Sequence, residues 1–535
     1  MTTTTSEASL AGRREWIGLA VLSLACLLYV MDLTVLHLAV PSLSADLQPT
    51  SVQLLWIIDI YGFMVAGFLV TMGTLGDRIG RRKLLLNGAA AFGVVSVLAA
   101  FSGSAEMLIV SRALLGIAGA TLAPSTLSLI FSMFADQRQR AIAVAVWISA
   151  FSAGSAVGPV LGGVVLERFW WGSVFLLALP VMVVLLVLGP ILLPEYRDPD
   201  AGRLDLLSVV LSLAAVLSVI FGLKQIAQDG VGGLAIAIIL AGVATGTVFV
   251  RRQLTLADPM IDVRLFRIPA FAGSLAINFI SIFVAVGYFL FVAQYLQLIL
   301  GLSPLQAGLW SVPSALGFVA GSQLAPRIAR SFRPAHVIGA GLAMSAIGLA
   351  VLTQVGTTGG LVPLVAASVI ISLGLAPVLT LTTDLIVGSA PPERAGAASG
   401  ISETAAELGG ALGISILGSI GVAIYRGELA SGLPAAVPTE SAAIARDTLG
   451  GAVAVAQRLP DALGAAVLDV ARDAFLAGMH LTSAIAAVIA VVVALLAVVL
   501  LRSTAAPSAQ AEPEPDSAPE HTAHIAPPRL ETAGP

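Results

Sequence analysis

Blocks of apolar residues, each about twenty long, are the feature that most restricts the fold of this chain. The 535 residues are 58% hydrophobic and only 11% charged, whereas about a quarter of the residues of a soluble domain are charged. A helix of about twenty apolar residues spans a bilayer core of about 30 Å. The blocks do not alternate polar and apolar residues, so helices are predicted rather than a closed barrel. The sequence predicts an all-α polytopic membrane protein and excludes a soluble enzyme.

The apolar blocks predict fourteen membrane-spanning helices. They are expected at residues 16–40, 51–73, 83–103, 106–133, 140–166, 172–194, 205–225, 232–250, 270–299, 304–326, 335–356, 361–387, 396–425 and 476–501. The first ten residues are polar and the first apolar block is too long for the core of a signal peptide. No cleavable signal peptide is therefore expected.

The basic residues of the loops predict the orientation of these spans. Twenty of the 27 Lys and Arg residues fall in one alternating set of loops together with the termini, and six fall in the opposite set. Cytoplasmic loops carry the excess of Lys and Arg, so both termini are predicted to be cytoplasmic. Both termini lie on one side only if the number of spans is even, and fourteen meets this requirement.

The spans divide the chain into predicted regions, two of which lie outside the membrane. An external loop at 427–475 is rich in alanine and has amphipathic stretches on either side of Pro460, which predicts a helical hairpin. The last 33 residues repeat Pro, Ala, Glu, Ser and Thr, which is typical of a disordered tail. The predicted regions are a cytoplasmic N-terminus (1–15), an N-terminal six-helix bundle (16–194), two inserted helices with their loops (195–269), a C-terminal six-helix bundle with the external hairpin (270–502) and a cytoplasmic tail (503–535).

Composition excludes several kinds of site and partner. The formal net charge of -4 gives no indication of a nucleic-acid partner. A single cysteine, Cys26, excludes a disulfide framework and a multi-cysteine metal site. Neither Lys83 nor Lys224, the only lysines, follows the glycine spacing of a P-loop, so the chain is not itself an ATP-driven pump. We predict no catalytic residue, metal or cofactor, and interpret Lys224, with Trp170 and Trp171, as an anchor at the external interface.

A basic motif recurs eight spans after its first occurrence. Residues 75–81 read Leu-Gly-Asp-Arg-Ile-Gly-Arg, and residues 324–330 read Leu-Ala-Pro-Arg-Ile-Ala-Arg. Arg140-Ala at the start of the fifth span has a counterpart, Arg394-Ala, at the start of the thirteenth. This pattern indicates two parallel halves with two extra helices between them, and it places a substrate site at the midplane between the halves. The alternative is chance similarity between short basic loops.

The first copy of this motif lies in the first basic loop. It reads Gly-Thr-Leu-Gly-Asp-Arg-Ile-Gly-Arg-Arg-Lys over 73–83. Glycines permit a tight turn, and charged side chains pair with neighbouring helix ends. The motif resembles the loop signature of the major facilitator superfamily, in which it acts as a gating hinge. The gating residues implied here are Gly73, Gly76, Asp77, Arg78, Gly80, Arg81 and Arg82.

The fifth span carries a second motif, Gly-Ser-Ala-Val-Gly-Pro-Val-Leu-Gly-Gly, over 154–163. Small residues let helices approach closely, and proline kinks a helix. The motif is similar to the glycine-proline motif of antiporters in the same superfamily. The residues concerned are Gly154, Gly158, Pro159, Gly162 and Gly163.

The first two spans narrow the resemblance to one branch of the superfamily. Residues 31–41 read Met-Asp-Leu-Thr-Val-Leu-His-Leu-Ala-Val-Pro, and residues 55–62 read Leu-Trp-Ile-Ile-Asp-Ile-Tyr-Gly. With the long last external loop, they resemble the 14-helix drug:proton antiporters of the quaternary-ammonium (Qac) type. The sequence departs from that pattern at His37, where the family commonly has Asn, and at Leu115, where it usually has Gln. The family's aromatic-arginine motif at the start of span six is only loosely matched by this sequence. These three departures bear on the range of substrates that the protein accepts.

Ionisable residues inside the spans are the candidate coupling residues, because each costs at least about 2.5–3.5 kcal/mol to insert. Asp32 lies nine residues before Pro41 and Asp59 nine after Thr50, which places both about 13 Å below the outer surface. Arg112 falls near the same depth, so the three are predicted to form a buried cluster. The resemblance implies proton coupling for Asp32 and Arg112, and coupling or cation recognition for Asp59.

Span thirteen carries two further acids, Glu403 and Glu407. They lie four residues apart, so they share one helix face. The resemblance implies cation or proton binding for both. The alternative for all the acids is static pairing, such as Asp32 with Arg112, or a Glu403 side chain turned to the cytoplasmic end.

Aromatic residues are candidate contacts for a lipophilic cation through cation–π interactions. We single out Trp56, Tyr61 and Phe291, although a lipid-facing or packing role explains any one of them. His37 near the outer helix end and Asp384 near the end of span twelve are interpreted as passive.

These features predict a proton-coupled antiporter that exports lipophilic, mainly cationic drugs by alternating access from a bacterial cytoplasmic membrane. Its expected partners are these small cations, protons and the lipid bilayer, and a monomer is expected. One alternative is a dedicated exporter of a single antibiotic made by the cell. The others are a proton-coupled importer and a membrane receptor, and a receptor has no need for carboxylates at one depth.

Overall fold

The computed structural model describes residues 10–197, 205–256, 259–391 and 395–502. Within these ranges the regular structure is helical and contains no strand. The predicted disordered tail, the first nine residues of the N-terminus and Arg394 of the sequence repeat lie outside the described residues.

The helices are α1 (Arg13–Leu47), α2 (Ser51–Ile79), α3 (Arg81–Ala100), α4 (Ala105–Gly119), α5 (Leu122–Met133), α6 (Gln137–Arg168), α7 (Ser173–Leu176), α8 (Ala178–Leu192), α9 (Leu206–Asp229), α10 (Gly233–Thr255), α11 (Pro269–Gln294), α12 (Pro304–Ser331), α13 (Pro334–Leu352), α14 (Leu361–Ser389), α15 (Ala395–Gly432), α16 (Thr439–Asp447), α17 (Leu449–Ala456) and α18 (Asp461–Leu500). A 3₁₀ turn covers Val263–Arg267, and a π-helical turn, Tyr295–Ile299, continues α11.

Twelve helical segments of the described chain are long and apolar enough to cross a membrane. They coincide with twelve of the predicted spans. The remaining two predicted spans, 140–166 and 304–326, lie within α6 and α12, continuous helices of 32 and 28 residues. The all-α membrane class is confirmed, and fourteen crossings remain a prediction for these two helices.

Two predicted spans are interrupted in the structure. The span predicted at 106–133 divides into α4 and α5, and the span predicted at 172–194 divides into α7 and α8. In both cases a proline, Pro124 or Pro180, is the third residue of the second helix. Proline is tolerated in a first turn but clashes with the carbonyl four residues earlier, so each helix restarts just before it.

The hairpin predicted as an external loop is shorter than its predicted range, because both flanking helices extend into it. Helix α15 continues to Gly432, and α18 begins directly after Pro460 and runs for 40 residues. The second amphipathic stretch is therefore the first part of α18, while α16 and α17 lie between the long helices. We call the end of the bundle that carries α16 and α17 the hairpin end, and the opposite end, which carries the α2–α3 turn, the basic end.

Packing between the helices leaves a seam between the two predicted halves. Helix α2 packs along α15, α6 packs along α12, and the inserted helix α9 contacts both α2 and α15. Helix α10 packs chiefly on α9. Only 11% of its apolar window is buried, against 72% for α2, which indicates that α10 faces lipid. Helix α9 thus lies at the seam, and α10 lies outside it.

Candidate functional site

Asp32 on α1 and Arg112 on α4 form a buried ion pair inside the N-terminal half. Arg112 Nη1 lies 2.5 Å from Asp32 Oδ2, and the two side chains are 1% and 9% exposed. Arg112 Nε also donates a hydrogen bond to the carbonyl of Ile57 on α2 at 3.2 Å. The guanidinium therefore joins α1, α2 and α4, and both of its hydrogen-bonded partners belong to one half of the protein.

Aromatic rings enclose this guanidinium. Its Cζ lies 4.7 Å from the ring centroid of Tyr61 and 5.9 Å from that of Phe175. Stacking on an aromatic face is a favourable environment for arginine. Tyr61 is fully buried, so its ring already contacts a cation of the protein itself.

Asp59 on α2 forms a second, separate ion pair. Lys224 Nζ on α9 lies 2.8 Å from Asp59 Oδ2 and donates a hydrogen bond to Oδ1 at 3.0 Å. Ser415 Oγ on α15 donates to Asp59 Oδ2 at 2.5 Å. Both charged side chains have 0% exposure. The carboxylate is thus held by the inserted helix and by the second half at once.

The ring of Trp56 completes this site. Lys224 Nζ lies 3.7 Å from the Trp56 ring centroid, one turn of α2 from Asp59. A carboxylate and an indole face both attract a cation, because the face of the ring carries partial negative charge. The site formed by Asp59, Trp56 and Ser415 therefore has the chemistry of a cation site, and in this structure the ammonium of Lys224 occupies it.

Two expectations from the sequence are corrected here. Asp32, Asp59 and Arg112 do not share one ion-pair cluster, since Arg112 pairs with Asp32 and Asp59 pairs with Lys224. Lys224 is not an anchor at the external interface. The Cα–Cβ bonds of a helix tilt toward its N-terminus; α9 begins at the basic end, so the Lys224 side chain points back toward the middle of the bundle.

Helix α15 presents its acids to the first half. Tyr29 on α1 donates a hydrogen bond from its hydroxyl to Glu407 Oε1. Glu403 and Glu407 are partly buried, and Ser415 lies two turns beyond Glu407 on the same face. Gly62 of α2 packs against this face, because a Cβ at Gly62 would lie 3.9 Å from Glu407 Oε2. The face that carries these polar groups therefore lines the seam.

The gating motif is mostly helical. Helix α2 continues to Ile79 and α3 begins at Arg81, so the predicted loop shrinks to Gly80, whose φ is 112°. Glycine adopts this conformation without the steric cost of a Cβ. A Cβ at Gly80 would also lie only 2.3 Å from Glu195 Oε1. A residue with a side chain is therefore strained at this position by its φ, and it would also require the Glu195 carboxylate to move.

Charged residues of the same motif brace the turn. Arg81 Nη2 lies 2.6 Å from Asp77 Oδ1, and Arg82 Nη1 donates to the carbonyl of Leu193 at 3.0 Å. Arg78 is exposed. Gly76 leaves room for the Arg81 side chain, and Gly73 lies beside Pro124. The motif thus ties α2 to α3 and α8 at the basic end, and its role in gating remains a prediction.

The second glycine motif places α6 between two neighbouring helices. A Cβ at Gly154, Gly158 or Gly162 would lie within about 2.5 Å of atoms of α1. Gly163, one residue on, packs against the start of α12, where a Cβ would lie 2.7 Å from the Pro304 carbonyl oxygen. Backbones approach closely only where side chains are small.

Pro159 of the same motif lies inside α6 and faces α12. A Cβ at Gly308 of α12 would lie 2.3 Å from the Pro159 carbonyl oxygen. The motif therefore sets the spacing both within the first half and between the halves, and its part in antiport remains a prediction.

The three aromatic candidates lie in three different places. Trp56 belongs to the Asp59 site and Tyr61 covers Arg112. Phe291 on α11 lines a cavity of about 50 Å³ near the hairpin end, next to Phe475 and Tyr425. Contact between these rings and a substrate stays a prediction.

Three residues of these sites were not identified from the sequence. Tyr29 and Ser415 gave no signal, since neither residue type is unusual in a membrane helix. Lys224 did give one, because it is one of only two lysines and follows an apolar run of eighteen residues at 206–223. Its position near the end of a predicted span favours the interfacial interpretation instead.

Comparisons with known proteins agree with this architecture. Residues 22–414 match the family model of the Major Facilitator Superfamily. The chain is 44% identical over 476 residues to the multidrug efflux pump LfrA of Mycolicibacterium smegmatis, covering 89% of this chain and 94% of that protein. It is 37% identical over 477 residues to the methyl viologen resistance protein SmvA of Salmonella typhimurium, covering 86% and 93%.

A solved structure supports the fold. It is that of a bacterial homologue of the human lysosomal transporter Spinster, in an inward-facing and unoccupied conformation. The TM-score is 0.64 at 17% identity, covering 92% of this chain and all of that chain.

Proposed function

The chain belongs to the Major Facilitator Superfamily, a family of membrane transport proteins, and we propose that it is a proton-coupled antiporter that exports lipophilic, mainly cationic drugs. The observation that carries this proposal is a set of carboxylates inside the helix bundle, Asp32 within the first half and Asp59 and Glu407 at the seam, each with a partner. Carboxylates that hold either a proton or a cation are what such an exchange requires.

The proposed cycle is alternating access. When the cavity opens to the outside, protons bind these acids and the drug leaves. When the cavity opens to the cytoplasm, the protons leave and the carboxylates attract the next cation. Hydrogen bonds between the halves at the hairpin end support a state closed on that side, among them Gln297 Nε2 to the Leu38 carbonyl at 3.0 Å.

The proposed location is the bacterial cytoplasmic membrane, with both chain termini in the cytoplasm. The excess of arginine at the basic end supports this orientation. The relatives support drug substrates, since one is named as a multidrug efflux pump and the other for methyl viologen resistance. Methyl viologen is itself a cation, which agrees with the aromatic and acidic lining of the Asp59 site.

The test is ethidium efflux from cells or energised inverted vesicles. The wild type is expected to extrude ethidium, a protonophore is expected to stop it, and Asp32→Asn and Asp59→Asn are each expected to reduce export at least tenfold. Asp469→Asn is the matched control, because Asp469 is an exposed residue of α18 and not one of the acids inside the helix bundle. Membrane content of each variant is measured by immunoblot.

The outcomes separate the proposal from its main rival. If the wild type moves no cationic dye, cation export is wrong and a dedicated exporter of a neutral or anionic compound replaces it. If dye export survives both carboxamide variants, the acids are not the coupling groups.

A further inference from the structure

We propose that Lys224 is a tethered cation that competes with the substrate cation for the Asp59 site and so sets the affinity and release of substrate. The inference rests on the proposed function, because it assigns one residue a role in binding and releasing the exported cation. It concerns the inserted helix α9, which the twelve-helix core of the fold does not include.

The first argument is the composition of the site that Lys224 occupies. Its ammonium contacts the Asp59 carboxylate at 2.8 Å and the Trp56 ring centroid at 3.7 Å. Aromatic faces beside an anion are the means by which proteins bind organic ammonium ions. The ammonium of Lys224 is therefore in the position that the cationic group of a substrate would take.

The second argument is where the site lies. Asp59 belongs to α2, Ser415 to α15 and Lys224 to α9, so three separate helices that meet at the seam supply its polar groups. Any rocking of one half against the other changes the distances among these helices. The transport motion therefore changes the contacts of Asp59. It leaves the contacts between Asp32 and Arg112 intact, because both residues belong to one half.

The third argument is the chemistry of lysine. Its ammonium is a compact charge on a flexible four-carbon stem, whereas a guanidinium is a planar fork that holds its partner in a fixed orientation. A lysine can swing away from a carboxylate and return without movement of its helix. Lys224 makes no other ion pair among the described residues. Its ammonium therefore occupies the Asp59 site when no substrate cation is bound.

Two consequences follow for transport. A cation enters the site only by displacing Lys224, which weakens binding relative to an empty site. The return of Lys224 to Asp59 then expels the bound cation and restores a neutral buried pair, which avoids an uncompensated charge in the membrane. Lys224 thus favours turnover at the expense of affinity.

The experiment measures ethidium binding to purified full-length protein in detergent at pH 8, where protons compete least for carboxylates. Lys224→Met removes the charge and keeps the length of the side chain. We expect it to bind ethidium about tenfold more tightly than the wild type, while maximal efflux falls and the KM for efflux decreases. Lys224→Arg, which keeps the charge, is the matched control and is expected to bind no more tightly than the wild type.

A double-mutant cycle isolates the competition. In an Asp59→Asn background, Lys224→Met is expected to give no gain in affinity, because there is no carboxylate to compete for. The double variant leaves no unpaired charge at the Asp59 site, so it remains informative if Lys224→Met alone does not fold. Trp56→Leu keeps the ion pair and is expected to weaken ethidium binding several-fold.

The results separate this inference from the proposed function. If the folded Lys224→Met protein binds ethidium no more tightly than the wild type, or Trp56→Leu binds it equally well, the Lys224 inference is overturned. If the gain in affinity persists without Asp59, competition at Asp59 is also wrong. If the wild type neither binds nor exports ethidium, the proposed cationic function fails together with the inference.

Discussion

The two buried ion pairs that contain an aspartate of the first half differ in what surrounds them. Arg112 is held by Asp32, by the Ile57 carbonyl and by the Tyr61 ring, all from α1 and α2 of the same half. Asp59 is held by Lys224 of the inserted α9 and by Ser415 of α15. One pair lies within a single bundle, and the other lies where three separate units meet.

This difference predicts which of the two ion pairs breaks during the transport motion. Groups that belong to one bundle keep their contacts when the bundle moves as a rigid body. Groups that bridge bundles must break and remake contacts during the motion. We therefore expect loss of the Asp32–Arg112 pair to lower the stability of the first half as well as export, and loss of the Asp59–Lys224 pair to act mainly on cation binding.

The largest expected effect is on Arg112. Replacing it in Arg112→Met leaves Asp32 buried without its cation, which costs about 3–5 kcal/mol when one partner of a buried pair is removed. We expect a clear fall in the thermal denaturation midpoint and loss of export, measured by scanning fluorimetry of the purified protein and by ethidium efflux.

The control is the double variant Asp32→Asn with Arg112→Met, which removes both charges and is expected to recover much of the lost stability. A single variant as stable as the wild type would contradict the view that this pair stabilises the bundle.

The second effect comes from exchanging the charges of the seam pair. Asp59→Lys combined with Lys224→Asp keeps a buried ion pair between α2 and α9, so we expect a denaturation midpoint close to that of the wild type. Ethidium export is expected to be lost, because Trp56 then lies beside the relocated lysine on α2 and the carboxylate moves to the inserted helix α9. Export at the wild-type rate would show that the pair only neutralises charge, and would remove the contrast with the first pair.

The smallest expected effect is on the hydroxyl that bridges the seam. Ser415→Ala removes one hydrogen bond to the Asp59 carboxylate, which keeps its contacts with the Lys224 ammonium. We expect a severalfold change in ethidium affinity with little change in the denaturation midpoint.

Ser419→Ala is the matched control, since Ser419 lies one turn further along α15 and its buried hydroxyl makes no hydrogen bond in the described structure. Equal effects of the two variants would mean that the bond from Ser415 does not contribute to the site.

Much of the architecture was predictable because membrane insertion depends on local properties of the chain. Twelve of the predicted spans coincide with apolar helices of the structure. Asp32 and Arg112 were predicted at one depth, and the structure joins them. Helix ends were less predictable: α15 and α18 extend past the apolar blocks toward the hairpin end, because polar helices continue where neighbouring segments pack against them.

The composition of the Asp59 site was not predictable in the same way. The sequence placed Asp59 in a span with Trp56 one turn away, but it did not indicate that a lysine 165 residues later would reach the carboxylate. Helix α9 is apolar around most of its circumference, and such a helix carries no stripe that identifies its inward face. The depth of a residue in the membrane could be counted from the ends of its helix. The rotation of the helix about its axis, which decides what the residue faces, could not.

The sequence alone thus determined the membrane class, the axial positions of the acids and the motifs of the family, because hydropathy and helical rise act residue by residue. Only the tertiary structure decided which cation is held by Asp32 and which by Asp59. That choice depends on how α9 rotates into the groove between α2 and α15, where burial of two opposite charges is tolerated only if they meet.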